Sequence, residues 1–379
     1  MPPVSTPPVS SPPGGARPVP RPGILAIAPY VGGRSTAEPG QRVIKLSSNE
    51  SGIGPSPRAI EAYRAAAEAM HRYPDGGAAE LRAAIAESFD IPADRIVCGA
   101  GSDELIHLLT TAYAAPGDEV LYSEHGFLVY PISAHAAGAT PVKAPEKDLR
   151  ADVDALLAAV TPATKLVYLA NPNNPTGTYL PPAEVARLHA GLPGHVLLVL
   201  DAAYAEFVDV ADYEAGLALV EGAENVVMLR TFSKLYGLAA LRLGWAYCPE
   251  AVADVLNRVR GPFNTSIAAQ AAGVASLRDT AFLEHARSHN AEWRAWLTAR
   301  LTQMGLEVTP SVTNFLLVRF PDEAGRTAAD ADAWLTARGI LLRRVTAYGL
   351  PAHLRISIGT AEECEIAAAA IADFLRGEA

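Results

Sequence analysis

Lys234 is one of only five lysines in a chain of 379 residues, and it stands in Thr231-Phe232-Ser233-Lys234 with Arg242 eight residues further on. The string follows the apolar run Val226–Leu229 and sets an amine beside two hydroxyls and a guanidinium. A lysine amine can form a Schiff base with an aldehyde, and the hydroxyls and the cation could hold an anion. Asp201 ends a second apolar run, Val196–Leu200, with Tyr204 three residues later. Alone, this Asp reads as a helix cap. The string Gly99-Ala100-Gly101-Ser102-Asp103-Glu104 follows a third run, Ile96–Cys98. Its glycines would let the backbone approach a phosphate at the start of a helix, and an ordinary N-cap at Ser102 or Asp103 explains it equally well. The fourth string, Asn171-Pro172-Asn173-Asn174-Pro175-Thr176-Gly177, follows Lys165–Ala170. It reads as a turn of turn formers, or as a rigid loop that holds the Asn174 amide against a ligand oxygen, with a cis bond open to Asn174-Pro175.

Together the four strings meet the needs of one cofactor. Pyridoxal phosphate requires an amine for its aldehyde, an acidic partner for its ring nitrogen, cations and hydroxyls for its phosphate, and a donor for its ring oxygen. Lys234, Asp201, Ser233 with Arg242, and Tyr204 with Asn174 supply these in turn. Pairing with a protonated ring nitrogen would lower the pKa of Asp201. No metal is expected: His285 and His289 lie four apart on a helix without the glutamate of a zinc protease, and read as a solvated face.

Such residues need a scaffold that brings strand ends together. From about Arg95 the pattern alternates strand, turn and helix, with strands at Ile96–Cys98, Glu119–Tyr122, Lys165–Ala170, Val196–Leu200, Val226–Leu229 and Leu243–Tyr247. Helices fit near Phe127–Ala137, Asp152–Val160 and Pro182–Ala190. Continuous apolar runs of this kind are buried on both faces of a parallel sheet, so the pattern predicts an α/β layered domain with a mainly parallel central sheet. In such sheets ligands bind beyond the carboxyl ends of the strands, where all four strings lie. After Gly261 a long helix, about Thr280 to Met304, precedes strands at Phe315–Arg319 and His353–Ile358 and helices near Ala328–Arg338 and Ala361–Arg376. The expected division is a large domain over 70–261 and a smaller α+β domain over 23–69 and 262–379. Residues 1–22, rich in Pro, Ser and Gly, read as a disordered arm without the pattern of a signal peptide.

Composition narrows the partners. A net charge of −10 without a basic block argues against nucleic acid and anionic membrane surfaces, and no apolar run approaches the ~20 residues of a membrane helix. Cys98, Cys248 and Cys364 have no paired spacing and read as buried apolar side chains in a reducing cytoplasm.

With these residues in place, the sequence resembles the class I and II aminotransferases from about Ile24 to Gly377. The marks are Asn-Pro-Thr-Gly at 174–177, Asp201 with Tyr204, Ser233-x-Lys with Arg242, Leu354-Arg355-Ile356, and the separation of 33 between Asp201 and Lys234. The resemblance implies the pyridoxal-phosphate-dependent transferase fold of type I, like aspartate aminotransferase, and an enzyme acting on small amino and keto substrates. It makes Lys234 the Schiff-base lysine and the proton shuttle between Cα and C4′, and pairs Asp201 with the ring nitrogen. Asn174 and Tyr204 would bond the ring hydroxyl, with Phe127 stacked on the ring. Ser102, Asp103, Thr231, Ser233 and Arg242 would surround the phosphate, joined by Tyr73 from the other subunit of a homodimer. Arg355 would clamp the substrate carboxylate as a planar pair.

Within the family, Tyr73-Pro74-Asp75-Gly76, Arg230-Thr231-Phe232-Ser233-Lys234 and Gly339-Ile340-Leu341-Leu342-Arg343 resemble the histidinol-phosphate aminotransferases. That likeness implies transfer between histidinol phosphate and 2-oxoglutarate in histidine biosynthesis, with Tyr30 and Arg343 around the substrate. An aromatic amino-acid aminotransferase would share every cofactor residue, and a pyridoxal-phosphate decarboxylase of a phosphorylated amino acid shares the frame. Two departures stand out: Ala202, where the common form has Glu, and Arg344, an extra cation that reads as solvated.

Overall fold

The computed structural model describes residues 18–36 and 41–377, so residues 1–17 of the expected arm lie outside the described residues. Seven strands form the central sheet: β1 (Ile96–Gly99), β2 (Glu119–Ser123), β3 (Thr140–Ala144), β4 (Thr164–Ala170), β5 (Leu197–Asp201), β6 (Val226–Thr231) and β7 (Gly244–Tyr247). Their order is β1-β7-β6-β5-β4-β2-β3. Every pairing is parallel except the two made by β7, which runs against both neighbours. Strands β5, β6 and β7 are buried at every residue, in keeping with their apolar runs. Edge strand β3 is missing from the sequence reading. It carries Pro141 and Lys143 and its burial is uneven, which hides the alternation a strand is read from.

The second sheet is antiparallel: β8 (Glu307–Val308), β9 (Phe315–Arg319), β10 (Arg343–Arg344) and β11 (His353–Ser357), in the order β8-β9-β11-β10. It shares a core with Ile44 and Leu46, with the helix Ala361–Arg376, and with Leu297 and Leu301. The domain limits expected at 69 and 262 differ from this packing. Ala59 of the helix Pro57–Ala66, and Ala269, Ala272, Val274 and Leu277 of the helix Ile267–Arg278, belong to the core of the seven-stranded sheet. The second of these helices is rich in Ala and has little amphipathic contrast, so periodicity does not mark it.

The helix Thr280–Gln303 joins the two cores. Its 24 residues span about 36 Å. Phe282 and Ala286 near its start pack with Tyr204, Leu235 and Phe315 beneath the strand ends, while Leu297 and Leu301 near its finish enter the core of the second sheet. His289 on this helix is not solvated as expected: its Nε2 lies 2.9 Å from the carbonyl of Gly359. His285 is exposed. Cys98, Cys248 and Cys364 are buried free thiols, and burial pushes them up to about 12, 12 and 11.

Candidate active site

A cavity of about 300 Å³ opens at the carboxyl ends of β1, β4, β5 and β6 and is roofed by residues of the second sheet. Thirteen of the fourteen site residues named from sequence line it; Tyr73 does not.

β5 delivers Asp201 to its floor, 5 % exposed. Tyr130 Oη donates to Asp201 Oδ2 at 2.7 Å and the backbone N–H of Ala203 donates to Oδ1 at 3.3 Å. No cation among the described residues is within ion-pair distance, and burial pushes the carboxyl up to about 6. The lowering expected for Asp201 needs a cation at ion-pair distance, and among the described residues only the more distant charge of Lys234 acts in that direction, outweighed by burial. Tyr130 was not anticipated from sequence. It sits one helical turn beyond Phe127 and reaches Asp201 only because strand and helix pack together.

β6 leads into Thr231, Ser233 and Lys234. The ammonium of Lys234 lies 3.5 Å from the carbonyl of Ser48, and burial, reinforced by the positive charge of Arg355, lowers its pKa to about 8. A measurable fraction is therefore the free amine at neutral pH. Nζ lies 5.6 Å from the centre of the Tyr204 ring. Tyr204 Oη accepts from Asn49 Nδ2 at 2.8 Å, and burial pushes the phenol up to about 12, so it remains protonated.

The anion corner forms where β1 ends. The helix Ser102–Tyr113 starts without a side-chain cap, so neither Ser102 nor Asp103 plays the ordinary N-cap role. Its first N–H groups lack intrahelical partners. Arg242 closes the corner: Nη1 donates to Ser233 Oγ at 3.2 Å and Nη2 to Asp103 Oδ2 at 3.0 Å. Gly101 has φ +82°, a conformation that favours glycine, and a Cβ there would push aside the Arg242 guanidinium, 2.4 Å away. Thr231 Oγ1 accepts from the backbone N–H of Ser233 at 3.1 Å.

The loop after β4 has cis bonds at Asn171-Pro172 and Asn174-Pro175. Arg355 Nη1 donates to Asn174 Oδ1, which leaves the Asn174 amide hydrogens free for the cavity. Arg355 Nη2 donates to the carbonyl of Ser47 at 3.0 Å, while its buried Nε has no partner. Across the mouth, Arg343 Nη2 donates to the carbonyl of Val31, 2.7 Å away, and its guanidinium lies 6.0 Å from the ring centre of Tyr30. Phe127 meets Tyr30 edge-on at 6.4 Å. Arg344 is half-buried rather than solvated and bonds Thr346 at 3.2 Å. Tyr73 is 81 % exposed and stacks on Phe263 with ring centres 4.6 Å apart, outside the cavity of its own chain.

This donor set fits pyridoxal phosphate. A buried carboxylate without a cation suits a protonated ring nitrogen, the partly neutral amine suits an aldehyde, and the corner of helix start, hydroxyls and Arg242 suits a phosphate. Among the described residues no group of three possible metal ligands occurs, and no helix is long and apolar enough to cross a membrane.

Comparison with known proteins gives the same direction. Residues 41–371 match the family described as aminotransferase class I and II. The chain is 61 % identical over 358 residues to the histidinol-phosphate aminotransferase of Paramagnetospirillum magneticum, covering 94 % of this chain and 99 % of that protein. It is 60 % identical over 360 residues to that of Rhodospirillum centenum, covering 95 % and 99 %. Among solved structures, histidinol-phosphate aminotransferase from Sinorhizobium meliloti in complex with pyridoxal 5'-phosphate superposes with a TM-score of 0.82 at 32 % identity, covering 88 % of this chain and 90 % of that one.

Proposed function

Because this chain belongs to the class I and II aminotransferases, with the type I fold of that family, we propose that it moves an amino group between histidinol phosphate and 2-oxoglutarate, in histidine biosynthesis. The observation that carries the reading is the convergence of Lys234, Asp201 and the Arg242 corner on one cavity that also holds two further arginines, Arg343 and Arg355. The identity of about 60 % to relatives of that name supports the substrate.

When bound, pyridoxal phosphate supplies an aldehyde that condenses with amines and a ring that draws electrons from the substrate Cα. Lys234 would hold it covalently and then, as the free amine, accept and return the Cα proton; a pKa near 8 suits both duties. Asp201 would keep the ring nitrogen protonated, with Tyr130 fixing its carboxylate. Ser102, Asp103, Thr231, Ser233 and Arg242 would surround the phosphate, while Asn174 and Tyr204 donate to the ring oxygen and Phe127 covers the ring. Arg355 would bind the substrate carboxylate, or the phosphate that replaces it, because its planar fork fits both anions. Arg343, beside Tyr30 at the mouth, would take the second anion.

Tyr73 lies outside its own cavity and exposed, which supports a homodimer in which it serves the neighbouring site. We place the protein in the cytoplasm, in keeping with three unpaired thiols. We place the lobe boundaries where the cores divide, with the helices Pro57–Ala66 and Ile267–Arg278 in the larger lobe.

The deciding experiment mixes purified holoenzyme with histidinol phosphate, phenylalanine, tyrosine or glutamate and follows the cofactor's absorbance in single turnovers. Histidinol phosphate and glutamate should react fastest by kcat/KM. If phenylalanine or tyrosine outpaces histidinol phosphate, the enzyme is an aromatic aminotransferase instead.

A further inference from the structure

Asn49 was not anticipated from sequence, and its hydrogen bonds leave it a single orientation. Its backbone N–H donates to Ser357 Oγ at 2.8 Å. Ser357 Oγ in turn lies 3.2 Å from Asn49 Oδ1 and gives its own hydrogen there. With Oδ1 accepting on that side, the NH2 group must face Tyr204, whose Oη it reaches at 2.8 Å. The backbone is held as firmly. Asn49 has φ +55°, a region that Asn tolerates, and Asn314 Nδ2 donates to its carbonyl at 3.0 Å. Asn49, Ser357 and Asn314 are 1, 2 and 2 % exposed, so bulk water does not compete for these bonds. All three come from the second sheet and its approaches, whereas Tyr204 follows β5 of the first.

A phenol oxygen that receives an N–H on one side carries its own proton elsewhere. Tyr204 lines the cavity, so the remaining direction is inward. We infer that Asn49 is a positioning residue, which fills the acceptor side of Tyr204 Oη and so aims the phenol proton at the place of the cofactor's ring oxygen. The inference rests on the role proposed above for Tyr204. It also gives the second sheet a hold on the cofactor's electronic state through Tyr204, since the donor is set by Ser357 at the end of β11.

The test uses the full-length holoenzyme without substrate. It reads the pH midpoint of the visible absorbance of bound pyridoxal phosphate, together with the dissociation constant for pyridoxal phosphate. A donor at the ring oxygen favours its ionised form, so losing the donor raises the midpoint. Tyr204→Phe sets the scale, with an expected rise of about one pH unit or more. Asn49→Asp keeps the shape and the left-handed backbone but replaces a donor with an acceptor, which turns the phenol proton away from the cavity. It should raise the midpoint about as far as Tyr204→Phe and weaken cofactor binding. In the Tyr204→Phe background it should do much less, because no proton is left to redirect. Asn49→Ala should have a smaller effect than Asn49→Asp. A residue that merely filled space would show the reverse, with Ala worst and Asp near wild type, and that result overturns the inference. Equal shifts by Asn49→Asp in both backgrounds overturn it too. Ser357→Ala is the second variant: it frees the amide to turn over, so the midpoint should rise, and an unchanged midpoint counts against the inference. If Tyr204→Phe itself changes neither quantity, the proposed contact of Tyr204 with the ring oxygen fails and this inference with it. If only the Asn49 and Ser357 variants are silent, the role of Tyr204 stands and Asn49 alone is misassigned.

Discussion

Replacing Asp201 by Asn should have opposite effects in the cofactor-free protein and in the loaded enzyme. In the protein alone the carboxyl is buried, accepts two hydrogen bonds and has no cation, and its pKa rises from 3.8 to about 6. The folded pKa is the higher one. Below 3.8 the group is protonated whether the chain is folded or not, and it changes nothing. Between 3.8 and 6 the folded chain keeps a proton that the unfolded chain has lost, so stability falls as pH rises. Above 6 the whole penalty is present, and a gap of about two pH units is worth roughly 3 kcal/mol. Asn removes the charge and still accepts from Tyr130. It loses the weaker bond from Ala203, worth about 1 kcal/mol. The expected net gain is about 2 kcal/mol at pH 8, shrinking to within about 0.5 kcal/mol at pH 5.

Urea unfolding of cofactor-free wild type and Asp201→Asn at pH 8 and pH 5 measures this difference. With pyridoxal phosphate bound the sign reverses, because a protonated ring nitrogen loses its partner inside the protein. Breaking a buried ion pair costs about 3–5 kcal/mol, so cofactor affinity or turnover should fall by roughly two to four orders of magnitude. A variant that is less stable than wild type without cofactor at pH 8 would refute the reasoning about burial. One that transaminates at a near-normal rate would refute the pairing with the ring.

Borohydride reduction of the holoenzyme followed by peptide mapping should place the phosphopyridoxyl group on Lys234, and a label on Lys45, Lys143, Lys147 or Lys165 would exclude that assignment. Because the Lys234 amine titrates near 8 in the empty cavity, the rate of reconstitution with pyridoxal phosphate should rise about tenfold per pH unit below 8 and level off above it; stopped-flow absorbance gives the profile, and a midpoint above 10 contradicts the lowered pKa. Mixing wild type with the double variant Tyr73→Phe/Lys234→Ala should yield heterodimers whose one remaining lysine site holds cofactor more weakly, whereas a fully active monomer in light scattering would dismiss the shared site. Arg343→Ala should reduce kcat/KM for histidinol phosphate and glutamate by roughly 10- to 150-fold, the loss of one charge-assisted hydrogen bond, with a smaller effect on phenylalanine; equal losses on all three would remove Arg343 from the second anion site.

The residues that could be read without the family resemblance share a physical position, at or just after the end of a strand whose apolar run announces it, whereas Tyr30, Tyr73, Phe127, Arg343 and Arg355 are named only through that resemblance. Asp201 ends β5, Thr231 ends β6, and Gly101 and Asn174 stand in the turns after β1 and β4. Local order alone thus brings Lys234, Asp201 and the Arg242 corner to one edge of the sheet. Asn49 and Tyr130 carry no such signal. The strand before Asn49 has only two residues, Ile44–Lys45, and its pairing with Ile340–Leu341 crosses nearly the whole chain. Tyr130 lies inside an apolar helix, where an aromatic side chain reads as core, and much of it is core: its ring stacks on Tyr168 at 4.6 Å. Only its hydroxyl belongs to the site. The two residues differ from the legible set in function as well as in signal. All the legible residues but Tyr73 line the cavity, as Asn49 does too, but Asn49 and Tyr130 act on Tyr204 and on the carboxylate of Asp201 through contacts between distant segments. Sequence order therefore conveys which groups line the cavity, and tertiary packing decides which of their hydrogens and lone pairs face into it.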